Sequence, residues 1–406
     1  MNLSRRRFLK SSGLGFLALG LPPSFLVRAA EAQQVGRGKA LVVVFQRGAM
    51  DGLNAVIPFK DRAYYSLRSS IAIAEPATSE NRAIDLDGFY GLHPALAPLK
   101  NIYDKGHLAI VHAAGSPDNT RSHFDAQDYM EIGTPGIKST PDGWLNRYLN
   151  EKHKSESPFR GVAVTAQLPR MLAGSAPALT MSSIEEFRLR NEAMAGALQR
   201  LYASTADSLF RFNGQNLFAA MAELRHVEAK IPVSLENYPN GRFGVGLAQI
   251  ARLIKADVGL EIAFTEIEGW DTHVNQGAAT GQMANRLKEL AGGLAAFYRD
   301  LGDRMSDVVL ITMSEFGRTV RENGNRGTDH GHANVMFALG GPVRGGKVYG
   351  SWPGLAPEVL YEGRDLNLTT DFRSVCGEVI ARHLGQKDLS KIFPGFRSSP
   401  ALGLIA

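Results

Sequence analysis

The chain has 406 residues, of which 44% are hydrophobic and 21% are charged, an ordinary composition for a globular protein. Its single cysteine excludes a disulfide framework, a cysteine-rich zinc site and an iron–sulfur cluster held by this chain alone. Residues 1–32 hold five of the 45 basic and one of the 40 acidic residues, which leaves 40 basic and 39 acidic residues in the remainder. The basic excess therefore belongs to the N-terminal segment and does not indicate nucleic-acid binding.

The N-terminal segment resembles a twin-arginine export signal. The run SRRRFLK at Ser4–Lys10 precedes a mildly apolar stretch, Ser11–Val27, and a small-x-small cleavage site, Ala30–Ala32. The apolar stretch contains two prolines and is too short and too mild to span a bilayer well, so we expect a signal peptide at 1–32 rather than a stable membrane anchor. The expected consequences are recognition by the twin-arginine translocase, export in the folded state, and a periplasmic or secreted protein.

Apolar strand-like runs alternate with helical patterns along the rest of the chain. The predicted strands are Lys39–Gln46, His107–Ala114, Gly161–Thr165, Gly259–Glu266, Asp307–Met313 and Asn334–Leu339. The predicted helices are Pro94–Asp104, Ser122–Glu131, Gly241–Ala256, Gly281–Leu301 and Asp371–Leu384. Wholly apolar runs rich in β-branched residues are typical of parallel strands buried on both faces. We therefore expect an α/β fold with a largely parallel sheet sandwiched by helices.

The segment from about 184 to 230 interrupts this alternation. Its polar and apolar residues recur at helical spacing and predict two long amphipathic helices. Without an internal repeat or a linker rich in Pro, Gly or Ser, the sequence favours a single domain at 33–406 with a helical insertion at about 184–240.

Polar residues gather where the predicted strands end. Ligands of an open α/β sheet bind beyond the carboxyl ends of its strands. The segments are RGAMDG at 47–52, SPDNTRSHFD at 116–125, GWDTH at 269–273 and SEFGRT at 314–319, and TDHGH at 328–332 precedes the sixth strand. We expect the last segment to fold back over the edge at which the other four meet.

Two of these segments carry ligand-type side chains at alternate positions. Asp271 and His273 would share one face of an extended segment, and so would His330 and His332. The first pair could equally be a surface Asp–His pair, whereas the second lies in the most ligand-like segment, for which the alternative is a polar loop. Neutral imidazoles with carboxylates and no thiolate suit zinc, manganese or iron, whereas magnesium and calcium suit the carboxylates alone.

Thr120 and Ser122 stand where a predicted helix begins. Their hydroxyls are candidate N-caps, and the same position suits a nucleophile because a helix start stabilises an anion. Arg121, or Arg47 or Arg318, could bind the non-bridging oxygens of an ester as a planar fork. Such a hydroxyl beside a metal and arginines fits esters of phosphate or sulfate.

The motifs VVVFQRGAMDGLN, SHFDAQDYME, GWDTH, SEFGRT and TDHGHAN resemble a family of uncharacterised twin-arginine-exported bacterial proteins. That family is grouped by fold with alkaline phosphatases, sulfatases and cofactor-independent phosphoglycerate mutases, and the resemblance covers about Gly38 to Leu404. It implies an alkaline-phosphatase-like domain. The residues it would make metal ligands are Asp51, Asp271, His273, Glu315, and His330 or His332, and Ser122 or less favourably Thr120 takes the nucleophile position.

The sequence departs from the characterised enzymes of that superfamily at three places. The middle ligand pair is commonly Asp-x-x-x-His, but here it is Asp271-x-His273, and Glu315 is followed by Phe316 where Asp-His is usual. The only cysteine, Cys376, lies outside any Cys-x-Pro-x-Arg motif, so the standard sulfatase mechanism is rejected and Cys376 is expected in the core.

The leading expectation is an exported metal-dependent hydrolase of phosphate, sulfate or related esters, acting on a small-molecule or polymer substrate, with zinc or manganese as its metal. The alternative is a non-catalytic exported binding or assembly protein that retains the sulfatase-like fold, since a histidine after Glu315 is missing. A nucleotide-binding oxidoreductase is a weaker third reading, because no G-x-G-x-x-G follows the first strand.

Overall fold

The computed structural model describes residues 37–78, 80–151, 157–187, 192–397 and 400–406, without the side chains of 192–194, 209, 210 and 213. The signal peptide predicted at 1–32 lies outside the described residues. Within the described part of the chain, no helix combines the length and the apolar character needed to cross a membrane.

The described residues form strands and helices in alternation, as an α/β fold requires. The strands are β1 (Ala40–Arg47), β2 (Val56–Ile57), β3 (Ile84–Asp85), β4 (Gly91–Leu92), β5 (Leu108–Gly115), β6 (Gly161–Val164), β7 (Leu179–Met181), β8 (Ile262–Glu268), β9 (Val308–Met313), β10 (Asn334–Gly340), β11 (Val348–Tyr349) and β12 (Thr370–Asp371). The α-helices are α1 (Gly52–Ala55), α2 (Arg62–Leu67), α3 (Ala97–Asp104), α4 (His123–Ile132), α5 (Trp144–Glu151), α6 (Glu192–Ser204), α7 (Ser208–Lys230), α8 (Arg242–Lys255), α9 (Gln282–Leu301) and α10 (Phe372–Glu378).

The main sheet is mostly parallel. Its strands follow the order β11-β5-β10-β9-β1-β8-β6-β7, and β12 also pairs with β5. Strands β1, β8, β9, β6 and β7 are joined by parallel ladders. Strands β2, β4 and β3 form a separate small antiparallel sheet. The predicted fold class, a largely parallel sheet between helices, is confirmed.

One strand of the main sheet runs against the others. β10 pairs antiparallel with both β5 and β9. Its amino end therefore lies at the edge where the parallel strands have their carboxyl ends. The TDHGH segment before β10 thus reaches that edge directly, whereas the sequence analysis expected a loop that folds back.

The core lies on both faces of the sheet because alternate residues of a strand point to opposite sides. Val42 and Val44 of β1 pack on the side of α3, α8 and α9. Leu41, Val43 and Phe45 pack on the side of α5 and α10. All five side chains are fully buried, and each such burial contributes roughly 1.5–3 kcal/mol. Burial on both faces explains why β1 reads as a continuous apolar run.

The predicted elements coincide with observed ones to within a few residues. The helix predicted at Pro94–Asp104 starts as a 3₁₀ turn at Pro94–Leu96 before α3, and the one at Asp371–Leu384 is α10 followed by a π-helical turn at Val379–His383. Cys376 is fully buried in α10, as expected. Helices α6 and α7 occupy the segment of the predicted insertion; its boundaries and the single-domain assignment stay predictions.

Candidate metal centre

Three segments bring imidazoles together at the carboxyl edge of the sheet. His123 is the first residue of α4, which follows β5. His273 lies in the loop after β8, and His330 lies in the loop before the reversed strand β10. The sheet order places β5, β10, β9, β1 and β8 side by side. Residues more than 200 positions apart therefore share one site.

The three imidazoles converge on one carboxylate oxygen, Oδ1 of Asp271. The Nε2 atoms lie 2.9 Å (His273), 3.3 Å (His330) and 3.5 Å (His123) from this oxygen. Ligand atoms of His123, Asp271 and His330 all lie within 4.8 Å of one another. This arrangement is a possible metal site within the described residues.

The other ring nitrogen of each histidine is held by an oxygen. Nδ1 of His123 lies 2.7 Å from Glu315 Oε1, and Nδ1 of His273 lies 3.0 Å from Asp329 Oδ1. Nδ1 of His330 lies 2.8 Å from the carbonyl oxygen of Arg121. These carboxylate and carbonyl oxygens are acceptors, so each Nδ1 donates to its oxygen and Nε2 is the ring nitrogen that faces the cluster.

The Nε2 atoms need a positive charge between them. Those of His273 and His330 are 2.9 Å apart, and two lone pairs at that distance repel unless a proton or a cation lies between them. His123 Nε2 is buried and has no hydrogen-bond partner among the described residues. Imidazole nitrogens with one carboxylate suit zinc, manganese or iron, so the residues present fit a divalent metal.

Glu315 supports the cluster from behind. The side chain is fully buried, and its Oε1 accepts hydrogen bonds from His123 Nδ1, from the Gly48 amide at 2.8 Å and from Gln127 Nε2 at 2.8 Å. A carboxylate on the far nitrogen of a ligating histidine fixes the ring and increases its basicity. The structure thus places Glu315, predicted as a direct ligand, behind His123.

Arg318 keeps Asp271 ionised. Its Nη2 donates to Asp271 Oδ1 at 2.6 Å, and its side chain is fully buried while that of Asp271 is 47% exposed. Burial alone would raise the pKa of Asp271, but the hydrogen bond and charge of Arg318 outweigh it and lower the pKa to about 2. Arg318 also donates to carbonyl oxygens of Gly48, Ala49, Trp270 and Thr328, so it has no free fork for a substrate.

The pKa values of two histidines of the cluster are shifted in opposite directions. The hydrogen bond to Glu315 is the main reason that the pKa of His123 is raised. Burial is the main reason that the pKa of His330 is lowered. Without a metal, a proton therefore favours His123 over His330.

Two glycines let the loops approach each other. Gly48 has φ +112°, and a Cβ there would lie 2.8 Å from the backbone nitrogen of Asp271. Gly331 sits against the SEFGRT loop, where a Cβ would lie 2.4 Å from the carbonyl carbon of Arg318. The glycines of the two motifs are thus required by close backbone contact at the site.

Asp51, predicted as a metal ligand, lies in a different network. Its Oδ2 accepts from Arg68 Nη1 at 2.5 Å and from Gln276 Nε2 at 2.7 Å. Asp51 is 1% exposed and the Arg68 side chain is fully buried. Oδ1 of Asp51 is buried without a hydrogen-bond partner among the described residues, so coordination through that oxygen stays a prediction.

The structure separates the two histidines that the sequence left as alternatives. His330 joins the cluster, whereas His332 is buried and stacks on Tyr361 with ring centroids 4.1 Å apart. Burial lowers the pKa of His332. Of the two, His330 has the geometry of a ligand.

The three predicted catalytic residues make local contacts. Ser122 is the N-cap of α4, its Oγ accepting from the Asp125 amide at 3.5 Å, and Thr120 Oγ1 accepts from the Ser122 amide at 3.2 Å. Arg121 Nη2 binds Asp365 Oδ2 at 2.6 Å and Glu362 Oε2 at 2.7 Å. A substrate oxygen would compete with two carboxylates for this guanidinium. The nucleophile and anion-fork roles stay predictions.

His123 is the cluster residue that the sequence analysis did not select. It stands in the quoted SHFD motif, one position after Ser122. The available signal was its position in a polar segment that follows a predicted strand. Phe316, which directly follows Glu315, lies beside the His123 ring, with centroids 5.0 Å apart.

Solved structures with a similar fold include three proteins. The lipoteichoic acid synthase LtaP from Listeria monocytogenes has a TM-score of 0.33 and 10% identity, covering 75% of this chain and 65% of that one. PsFucS1 sulfatase from Pseudoalteromonas sp. has a TM-score of 0.33 and 13% identity, covering 81% of this chain and 68% of that one. Thermus thermophilus alkaline phosphatase has a TM-score of 0.31 and 16% identity, covering 73% of this chain and 64% of that one. The chain spans about two thirds of the length of each.

No curated protein sequence matches the chain. A family model described as "Protein of unknown function (DUF1501)" matches residues 38–391, which is most of the chain and contains every residue of the cluster. The chain therefore belongs to this family of proteins of unknown function.

Proposed function

We propose that the protein is an exported metal-dependent hydrolase of phosphate, sulfate or related esters. The observation that carries this proposal is the convergence of three Nδ1-anchored imidazoles on Asp271 Oδ1. We assign His123, Asp271 and His330 as ligands of one divalent cation, zinc or manganese, with His273 as a further ligand. Export by the twin-arginine pathway to the periplasm or beyond is supported by the SRRRFLK run at 4–10.

The residues that surround the proposed ligands have distinct roles in this centre. Glu315 orients His123, and the Arg121 carbonyl oxygen orients His330. Arg318 holds Asp271 in its anionic form.

A divalent cation bound there would polarise an ester oxygen and lower the pKa of a bound water. The hydroxyl oxygens of Ser122 and Thr120 accept hydrogen bonds from backbone amides at the start of α4. The attacking group is therefore one of these hydroxyls or a metal-bound water. The half-exposed Asp271 and His273 leave the centre open to an ester from solvent. The substrate is a small-molecule or polymer ester.

The deciding measurement is the metal content of the mature protein by elemental mass spectrometry. We expect about one zinc or manganese per chain in the wild type and a large loss in His123→Ala and His330→Ala. His226→Ala, an exposed histidine of α7, should keep the metal. His332→Ala separates the two sequence alternatives, because we expect it to keep the metal as well.

Turnover is then tested on the same four variants with p-nitrophenyl phosphate and p-nitrophenyl sulfate. We expect hydrolysis of at least one ester by the wild type and by His226→Ala, and loss in His330→Ala. Metal binding without turnover of any ester would favour the alternative, an exported binding protein with a structural cation. Unchanged metal content in His123→Ala and His330→Ala would show that these histidines are not metal ligands and would reject the proposed centre.

A further inference from the structure

Large hydrophobic side chains that are exposed fall into two groups in the described part of the chain. One group lies in and just after the helices of the insertion segment: Leu201, Phe212 and Leu235. The other group lies on α4 and on the loops that follow α4, β6 and β8: Phe124, Ile137, Leu168 and Val274. We call this second group the apolar rim.

Sequence neighbours and ion pairs place the rim around the first two turns of α4. Phe124 directly follows His123, and Val274 directly follows His273, so each of them is one residue away from a histidine of the cluster. Ile137 precedes Lys138, whose Nζ lies 2.6 Å from Asp125 Oδ1 in the first turn of α4.

Leu168 belongs to the same edge. It lies two residues before Arg170, whose Nε is 3.3 Å from Asp128 Oδ1, one turn after Phe124 on α4. Two separate loops therefore bring apolar side chains to the helix that carries His123.

Phe124 is the strongest element of the rim, with 89% of its surface exposed. Apolar side chains scattered singly are normal on a surface, whereas an exposed apolar patch marks a binding site. An aromatic ring beside a cation site can bind hydrocarbon at one end of a ligand while the charge of the ligand lies at the other.

We propose that the apolar rim binds the hydrocarbon part of the substrate, so that the protein selects amphiphilic esters, in which an alkyl or aryl group is joined to an anionic phosphate or sulfate. The anionic head is taken to bind at the metal centre, and in that respect the inference rests on the proposed function. Each methylene buried on the rim should tighten binding about fourfold, so affinity should rise with chain length.

The test is calorimetric titration of the metal-loaded full mature chain with methyl phosphate, phenyl phosphate and octyl phosphate below its micelle concentration. We expect octyl or phenyl phosphate to bind at least tenfold more tightly than methyl phosphate. Phe124→Ser should remove most of that preference, whereas Phe212→Ser, an exposed phenylalanine of α7, should keep it. Whichever of phenyl and octyl phosphate binds more tightly shows whether the rim prefers an aromatic or an aliphatic group.

Equal affinity for methyl and octyl phosphate, no binding of octyl phosphate, or the same preference in Phe124→Ser and Phe212→Ser would overturn the inference. Turnover separates it from the proposed function. An octyl preference without hydrolysis supports the rim and rejects the hydrolase. Hydrolysis of methyl and octyl esters with equal kcat/KM rejects the rim and supports the hydrolase.

Discussion

Asp51 and Asp271 both follow parallel strands and reach the same edge of the sheet, yet they have opposite surroundings. Asp51 is almost fully buried and its Oδ2 faces the guanidinium of Arg68. Asp271 is half exposed and its Oδ1 faces three imidazoles as well as Arg318. Each carboxylate faces one guanidinium of the protein, Arg68 or Arg318. Only Asp271 also faces imidazole nitrogens, and these can bind an additional cation.

The Asp51 network also holds the loops of the metal centre in place. Gln276 donates to Asp51 and accepts hydrogen bonds from Thr272 and Thr328, each at 2.8 Å. Thr272 lies between Asp271 and His273, and Thr328 lies two residues before His330. The buried Asp51 network therefore supports the loops that carry the exposed candidate metal centre.

The largest effect is expected from breaking the support. Arg68→Met leaves Asp51 buried without its cation, and we expect a loss of about 3–5 kcal/mol in the free energy of unfolding. Urea unfolding measures it. Arg62→Met is the matched control, because the Arg62–Glu75 pair is exposed, with 80% of the Arg62 side chain in solvent, and should cost under about 1 kcal/mol. Equal losses in the two variants would contradict the contrast.

His112 is a buried histidine outside the cluster, and both of its ring nitrogens have partners within the protein. Its Nε2 donates a hydrogen bond to the Val56 carbonyl oxygen at 3.0 Å, and its Nδ1 accepts one from the Ala113 amide at 2.9 Å. Burial lowers the pKa of His112 to about 4. Because the pKa is lowered only in the folded state, stability is full above the unfolded value near 6.5 and falls as the pH drops toward 4.

We expect this titration to cost the wild type about 3 kcal/mol of unfolding free energy between pH 7 and pH 4. Urea unfolding at both pH values, in the wild type and in His112→Gln, isolates it, since the other buried histidines are common to both proteins. The variant should lose about 3 kcal/mol less than the wild type. A parallel pH profile in the two proteins would show that His112 is not the source.

The smallest effect concerns the metal alone. Glu315→Gln keeps an acceptor for His123 but removes the charge, and we expect metal affinity to fall by about 10–100-fold. Competition with a chromogenic chelator measures the affinity. Glu322→Gln, a carboxylate bound to Ser69 and Ser70 at the surface, should leave the affinity unchanged. An affinity in Glu315→Gln within twofold of the wild type would remove Glu315 from the centre.

Much of the fold could be predicted because burial leaves a local pattern. The apolar run of β1 reflects burial on both faces, and α9 shows its boundaries through glycines at 281 and 302. The direction of β10 could not be predicted, since antiparallel and parallel buried strands are equally apolar. The strands β7, β11 and β12 were not predicted because two or three residues are too few to show a strand pattern.

Local sequence patterns were enough to identify the segments that reach the carboxyl edge and the residue types they carry, because neighbouring residues show the strand and helix periods. The three-dimensional contacts were needed to show that His123 joins the cluster, that Glu315 lies behind it, and that Arg68 faces Asp51. Each of these depends on contacts between distant residues: 192 positions separate His123 from Glu315. Such contacts follow from strand order and loop packing, which no local pattern specifies.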